Sequence, residues 1–331
     1  MKTNVLVVGA TGQLGSSVIK YLSQAPDKFN IRALVRPTSA VQYIQQYEPK
    51  LVNGDLKDKN SLLQACDGID VVISTATVVF PKGVSDFEKD ERQGYRNLAE
   101  ACSEKGVKKF VFVSMGINFD DRVTSVSKSF ELKKWCEDLL ISAPFEHTIL
   151  RCPPFMEDYF ALIGSEIPLK NEALATIERS SGLTKFYRSM IRDSIEKRGV
   201  AWIPGNASMR HSFISVEDVA RCCVAAAGGA GNNSVTNITG PEAMTWAQVC
   251  QIYSELLGKK VRAIAMPAAM FRLSTSIAKP FSKILSNQMS ILWVLASYET
   301  HAQLEDMNNV FGVKPITSKS FLTEKYKVYL D

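Results

Sequence analysis

The chain has 331 residues, 46% hydrophobic and 22% charged, which is the composition of a globular fold and excludes a disordered or fibrous one. Its 39 Lys and Arg against 34 Asp and Glu leave +5, too small an excess to argue for a nucleic-acid partner. The 7 cysteines show no CxxC spacing and read as reduced thiols, and the 3 histidines (His147, His211, His301) show no ligand spacing, so no metal site is expected.

The first half alternates regularly. Strands are expected at residues 5–8, 31–35, 51–55, 71–74, 109–114 and 147–150, with helices at 13–22, 39–47, 59–66, 91–105 and 130–141 between them. Short apolar strands alternating with helices indicate a parallel sheet covered on both faces, that is, a doubly wound (Rossmann) α/β fold. The second half is less regular. Residues 156–207 read as mostly helical. Residues 212–227 read as a strand, a turn and a helix, and 234–240 as a further strand, both rejoining the sheet. A helix over 244–257 follows a Thr245 cap, and the tail 267–304 is helical and amphipathic. The division expected is a cofactor-binding core, 1–155 and 208–240, and a smaller, mostly helical C-terminal lobe, 156–207 and 241–331.

The stretch GATGQLG ends the first strand and opens the first helix. Gly9 suits the tight turn, Gly12 the close approach of a pyrophosphate, and Gly15 the packing of helix on strand. With Thr11, Gln13 and Leu14 they form the expected phosphate cradle at a helix N-terminus. No acid ends the second strand to meet a ribose 2′-OH. Arg36 stands there instead, with Thr38 and Ser39, and a guanidinium suits a 2′-phosphate, so NADP(H) is favoured over NAD. Arg32 is the weaker candidate. Asp55 and Leu56 in NGDLKD are placed to meet the adenine, whereas Asp58 reads as a helix cap. Small residues 74–77 after the fourth strand, Thr75 and Ala76 among them, leave room for cofactor ribose and pyrophosphate.

GATGQLG, ALVRP, NGDLKD, KKFVFVSMG and EHTILRCPPFM together resemble the short-chain dehydrogenase/reductase superfamily in its atypical, NmrA-like division. The resemblance runs from end to end and becomes vague after Phe155. FELKKWCEDLL, TILRCPPFM and LEDMNNVFGVKP resemble segments of the photosystem II assembly-factor branch, and isoflavone-reductase-like and quinone-reductase-like enzymes are also close. The resemblance implies a serine on the fifth strand and a tyrosine four residues before a lysine that holds the nicotinamide ribose. Ser114 and Lys133 match the serine and the lysine, but Ser129 stands where the tyrosine would be. Three readings stay open: Lys133 as proton donor or polarising cation; a proton from Ser114, Tyr159 or the substrate; or Lys133 as a cofactor-binding group in a protein that senses or scaffolds. An ion pair with Glu137 one turn on is the structural alternative for Lys133. Pro154 and Phe155 in CPPF are candidates for the wall beside the nicotinamide, and Cys152 reads as a buried thiol.

The function expected is NADPH-dependent reduction of a small apolar or quinonoid substrate, with a non-catalytic assembly or redox-sensing factor as the alternative. No apolar run reaches the ~18 residues of a membrane span, while the amphipathic 268–295 segment suits peripheral contact with a membrane or a protein complex. The start of the chain does not read as a signal peptide, and the compartment expected is the cytoplasm, or the plastid stroma after removal of a transit peptide.

Overall fold

The structure, a computed structural model, describes residues 1–77, 87–116, 121–179, 182–300 and 304–331. In chain order the first half gives β1 (Thr3–Val8), α1 (Gln13–Ser23), β2 (Phe29–Val35), α2 (Gln42–Gln45), β3 (Lys50–Asn53), α3 (Lys59–Ala65), β4 (Val71–Ser74), α4 (Phe87–Glu104), β5 (Lys109–Met115), α5 (Asp121–Val126), α6 (Lys128–Ile141) and β6 (Glu146–Cys152). The second half gives α7 (Met156–Leu162), α8 (Gly182–Ile191), α9 (Ser194–Arg198), β7 (Val200–Pro204), β8 (Arg210–His211), α10 (Val216–Ala227), β9 (Ser234–Asn237), β10 (Met244–Thr245), α11 (Trp246–Leu257), β11 (Arg262–Met266), α12 (Ala268–Ala278), α13 (Lys283–Ser297), α14 (Leu304–Phe311) and α15 (Ser318–Leu330).

Seven strands form one sheet in the order β3-β2-β1-β4-β5-β6-β9, every pair parallel. The strands are apolar on both faces because helices cover both. Val5 and Val7 of β1 face α1 and α10, packing with Val18, Ile19, Val219 and Cys223. Leu6 and Val8 face the other way, toward Leu62, Leu98, Cys102 and Cys136. That is the two-residue period of a strand read twice. The chain direction across the sheet reverses between β1 and β4, and a doubly wound sheet opens a crevice at that point, beyond the C-terminal strand ends. Val8 lies opposite Ser74, and Met115 opposite Cys152, so the strands bordering the crevice end nearly level.

A third core holds the C-terminal lobe, built around Phe160, Phe213, Trp246, Tyr253 and Phe321. Phe213 sits between Phe160 (4.8 Å between ring centroids) and Trp246 (5.0 Å).

The structure corrects four details. The helix expected over 39–47 shrinks to α2, because a turn closed by Ser39 N–H on the Arg36 carbonyl comes first. Residues 156–207 are not helical throughout. They include two short 3-10 turns, Ile167–Leu169 and Thr176–Arg179, and end in β7, which pairs with β11 in a separate two-stranded sheet. Residues 212–215 do not form a strand in the main sheet. Ser212 N–H bonds the Thr300 carbonyl, Ile214 only bridges Phe155, and Ser215 caps α10, so β9 alone of the two expected pieces rejoins, beside β6. Finally, Met307, Phe311 and Val313 pack into the sheet core, although the sequence division places 241–331 in the lobe. His301 and the 301–303 end of the amphipathic tail lie outside the described residues.

Candidate functional site

The glycine loop sits at the reversal point between β1 and β4. Gly9 has φ +84°, and a Cβ there would lie 2.8 Å from both Thr75 Oγ1 and the Ala76 nitrogen. Thr75 Oγ1 in turn donates to the Val8 and Gly9 carbonyls. A Cβ on Gly15 would fall 2.1 Å from the Gly9 carbonyl oxygen, so α1 packs directly on the loop. Gly12 is the N-cap of α1. It supplies no side-chain cap, and no acid stands in the first turn. The first-turn amides thus retain the donors and partial positive charge that hold an anion.

Leu14 is buried in the core beneath the loop. Gln13 is also buried, but its side chain does not face the cradle. Its Oε1 accepts from the amide and hydroxyl of Thr176, both at 2.9 Å, and Nε2 reaches Glu172 at 3.4 Å. The Gln13 side chain thus ties α1 to the lobe and leaves its main chain for a ligand. Arg179, from the same lobe segment, donates to the Thr11 carbonyl at 2.9 Å. Nothing in the sequence pattern connects Arg179 with Thr11, and it was missed.

Arg36 is exposed immediately after β2. Its amide donates to Ser39 Oγ at 3.1 Å, which brings that hydroxyl beside it. Arg32 is committed elsewhere, to the Ala65 and Asp67 carbonyls. Asp55 Oδ1 accepts from the Lys57 amide at 3.0 Å, and Asp58 caps α3 through the Asn60 amide. Leu56 is half-buried against Gly94, and its carbonyl is held by Asn97.

At the other end, Lys133 is 4% exposed. Its Nζ lies 3.9 Å from Glu91 Oε1 and 4.7 Å from the centroid of Phe112. The expected alternative of a surface pair with Glu137 is wrong, because Glu137 is bound by Arg151 with N–O distances of 2.6 to 3.2 Å. Ser114 follows Phe112 by two residues on β5, so both point to the face that carries Lys133. Ser114 Oγ is buried and makes no hydrogen bond. Beneath them Tyr95 is fully buried. Its hydroxyl donates to the Ala76 carbonyl at 2.6 Å and lies 2.9 Å from Ser74 Oγ, and desolvation raises its pKa well above the ordinary value.

Ser129, where the tyrosine would stand, is buried. Its amide and hydroxyl both lie 3.1 Å from Asn287 Oδ1 on α13, and Asn287 Nδ2 lies 2.8 Å from the same hydroxyl. One turn further along α13, Ser290 bonds Ser127 at 2.9 Å. The C-terminal lobe therefore fills this position. Pro154 offers its carbonyl to the Ile214 amide at 3.2 Å, and Phe155 caps α7 with its ring half-buried against the sheet core. Cys152 is buried, and desolvation raises its thiol well above the ordinary range. Tyr159 lies on α7 against the lobe core, with its hydroxyl also raised by burial.

The structure thus gathers Gly9, Gly12, Gly15, Thr75 and Ala76 around the loop, and Lys133 and Ser114 on one face of β5, with Tyr95 between the two groups. Glu91, Tyr95, Arg179 and Asn287 complete the surroundings, and all come from distant segments without a local motif.

Known proteins are similar to this chain in sequence and in fold. The model of the NmrA-like family matches residues 1–319. Photosystem II assembly factor Ycf39 of Cyanophora paradoxa is 23% identical over 332 residues, covering 98% of this chain and 92% of that protein. The NAD(P)H azoreductase of Xenophilus azovorans is 24% identical over 295 residues, covering 88% of this chain and 87% of its own. The crystal structure of the NADPH-dependent quinone oxidoreductase QOR2 from Escherichia coli, complexed with NADPH, superposes with a TM-score of 0.72 at 17% identity, covering 97% and 99% of the two chains. With its glycine loop, its doubly wound sheet and a family match over nearly its whole length, the chain belongs to the NmrA-like family.

Proposed function

We propose that the chain is an NADPH-dependent reductase of a small apolar or quinonoid substrate, working without a Tyr-x-x-x-Lys dyad. The observation that carries this reading is the pairing of an uncapped helix N-terminus at the crevice with a buried lysine and an unpartnered buried serine on one face of β5. When bound, NADPH supplies a hydride from nicotinamide C4. Main-chain amides from Gly9, Thr11, Gln13, Leu14 and Gly15 cradle the pyrophosphate, Gly12, whose own amide is taken by the Gly9 carbonyl, lets it approach, and Arg36 with Ser39 meets the 2′-phosphate. Arg179 adds a second cation at the loop. Asp55 and Leu56 border the adenine, and Thr75, Ala76, Pro154 and Phe155 wall the inner half. Lys133, held by Glu91, positions the nicotinamide ribose. Ser114, whose hydroxyl has no protein partner, is free to donate a hydrogen bond to a substrate oxygen and stabilise the negative charge that hydride transfer places there. The azoreductase relative and the quinone oxidoreductase with this fold support the substrate class.

The test is NADPH oxidation against quinones, enones and azo dyes, with Lys133→Ala beside the wild type. Turnover that Lys133→Ala abolishes while the variant stays folded is the expected result. Tight NADPH binding with no turnover on any of these classes overturns it.

Two observations favour a second reading, a non-catalytic NADP(H)-binding assembly or redox-sensing factor. Ser129 is locked to Asn287 where a proton-donating tyrosine would stand. The 268–295 segment also exposes apolar side chains suited to contact with a membrane or a protein complex, and one relative is named an assembly factor. Among the described residues no helix is long and apolar enough to cross a membrane. All seven cysteines are free and buried, which suits a reducing compartment, the cytoplasm or the plastid stroma.

A further inference from the structure

α12 and α13 form a helical hairpin joined by residues 279–282. α12 turns Phe271, Thr275 and Ala278 inward. On another side Met270, Leu273 and Ile277 are 43%, 62% and 59% exposed, and their spacing places them in one stripe. At the hairpin tip Phe281 is 86% exposed, between the exposed Lys279 and Lys283. Isolated exposed apolar residues are ordinary, but a continuous stripe ending in a bare aromatic side chain marks a contact surface.

Charge identifies the occupant. From residue 256 to residue 298 there is not one Asp or Glu, whereas Lys259, Lys260, Arg262, Arg272, Lys279 and Lys283 fall in that interval. A protein groove would be met by paired charges at defined positions. A run of 43 residues with cations alone suits a surface that is negative throughout. An aromatic tip between two lysines can enter the boundary between headgroups and acyl chains while the ammonium groups stay at headgroup level. We propose that the α12–α13 hairpin rests on an anionic lipid surface, with Phe281 and the Met270–Leu273–Ile277 stripe seated in the interface and Lys279 and Lys283 on the headgroups. This rests on reading 268–295 as a contact surface and is independent of hydride transfer.

The experiment is co-sedimentation of the whole chain with vesicles of phosphatidylcholine mixed with phosphatidylglycerol, and with vesicles of phosphatidylcholine alone. Phe281→Glu and Leu273→Glu are run in parallel. NADPH binding and melting temperature report whether each variant is folded, and light scattering reports its oligomeric state. The expected result is binding to the anionic vesicles that falls with added salt and is weaker on the neutral ones. Each variant should lose on the order of tenfold in binding while still holding NADPH. Absence of wild-type binding to anionic vesicles overturns the proposal, as does binding that neither variant weakens. If the wild type self-associates, Phe281→Glu makes it a monomer, and vesicles are ignored, the stripe is an interface between copies: the lipid proposal falls while the contact-surface reading stands. A chain that binds these vesicles but never oxidises NADPH leaves the proposal intact and removes only the reductase reading.

Discussion

The two ends of the crevice are built by different means. The glycine-loop end is made of main chain: a glycine with positive φ, a second at a helix N-cap that brings no side-chain cap, and a third with no room for a side chain. The Lys133 end is made of buried side chains, with Lys133 against Glu91, Glu137 against Arg151 and Ser129 against Asn287. In each pair the partner comes from another element. A main-chain cradle is specified by a short local sequence and fails sterically. A buried polar cluster is specified by tertiary packing and fails electrostatically.

The largest expected effect tests the steric half. Gly15→Ala puts a methyl group 2.1 Å from the Gly9 carbonyl oxygen, backbone against backbone. It should cost more than about 4 kcal/mol of stability or prevent folding. A soluble variant with an unchanged melting temperature would show that the loop tolerates what the geometry forbids. Next is the electrostatic half. Glu91→Ala strands Lys133, which is 4% exposed, and should cost roughly 3 to 4 kcal/mol in denaturant titration. Glu91→Ala with Lys133→Met should recover part of the loss. If the double variant is less stable than the single one, the pair is not what holds the lysine.

Acid should act on buried side chains and spare the main-chain cradle. His211 is fully buried between Phe213 and Trp246 with neither ring nitrogen hydrogen-bonded, and burial lowers its pKa to about 4. Because the folded pKa lies below the unfolded one, its contribution is fully present above about pH 6.5. It is lost as pH falls through 4, for roughly 3 kcal/mol. His211→Phe should flatten the stability profile between these limits; an unchanged profile means another group governs it. The smallest effect separates the cofactors. Arg36→Ala should weaken NADPH binding by about 2 kcal/mol, roughly thirtyfold, and NADH binding hardly at all. Equal losses would place Arg36 away from the 2′-phosphate.

The same contrast explains what could be read from the sequence. The doubly wound sheet was legible because buried parallel strands are short apolar runs, and β4 was read at its observed ends. The Thr245 cap was legible because a capping box is a local pattern, and the structure contains it. Residues 212–215 were misread because an apolar run has the same appearance in a strand and in a segment whose amides are taken by Thr300 and Pro154. The glycine loop was legible for the same reason as the cap, whereas the attachment of Gln13 to Thr176 spans 163 residues and has no local signature. Lys133 was singled out by the family resemblance, but its partner could not be: Glu91 lies on α4, and the nearby Glu137 looked equally suitable until Arg151 was seen to hold it.

The central claim is the proposal that NADPH bound with its nicotinamide beside Lys133 gives up a hydride without help from a tyrosine. The most direct test is single-turnover mixing of the NADPH-saturated protein with a quinone, using cofactor carrying deuterium or protium at nicotinamide C4. The account predicts oxidation that deuterium slows, and loss of that phase in Lys133→Ala with NADPH still bound. Saturating binding with no oxidation in the wild-type protein contradicts it.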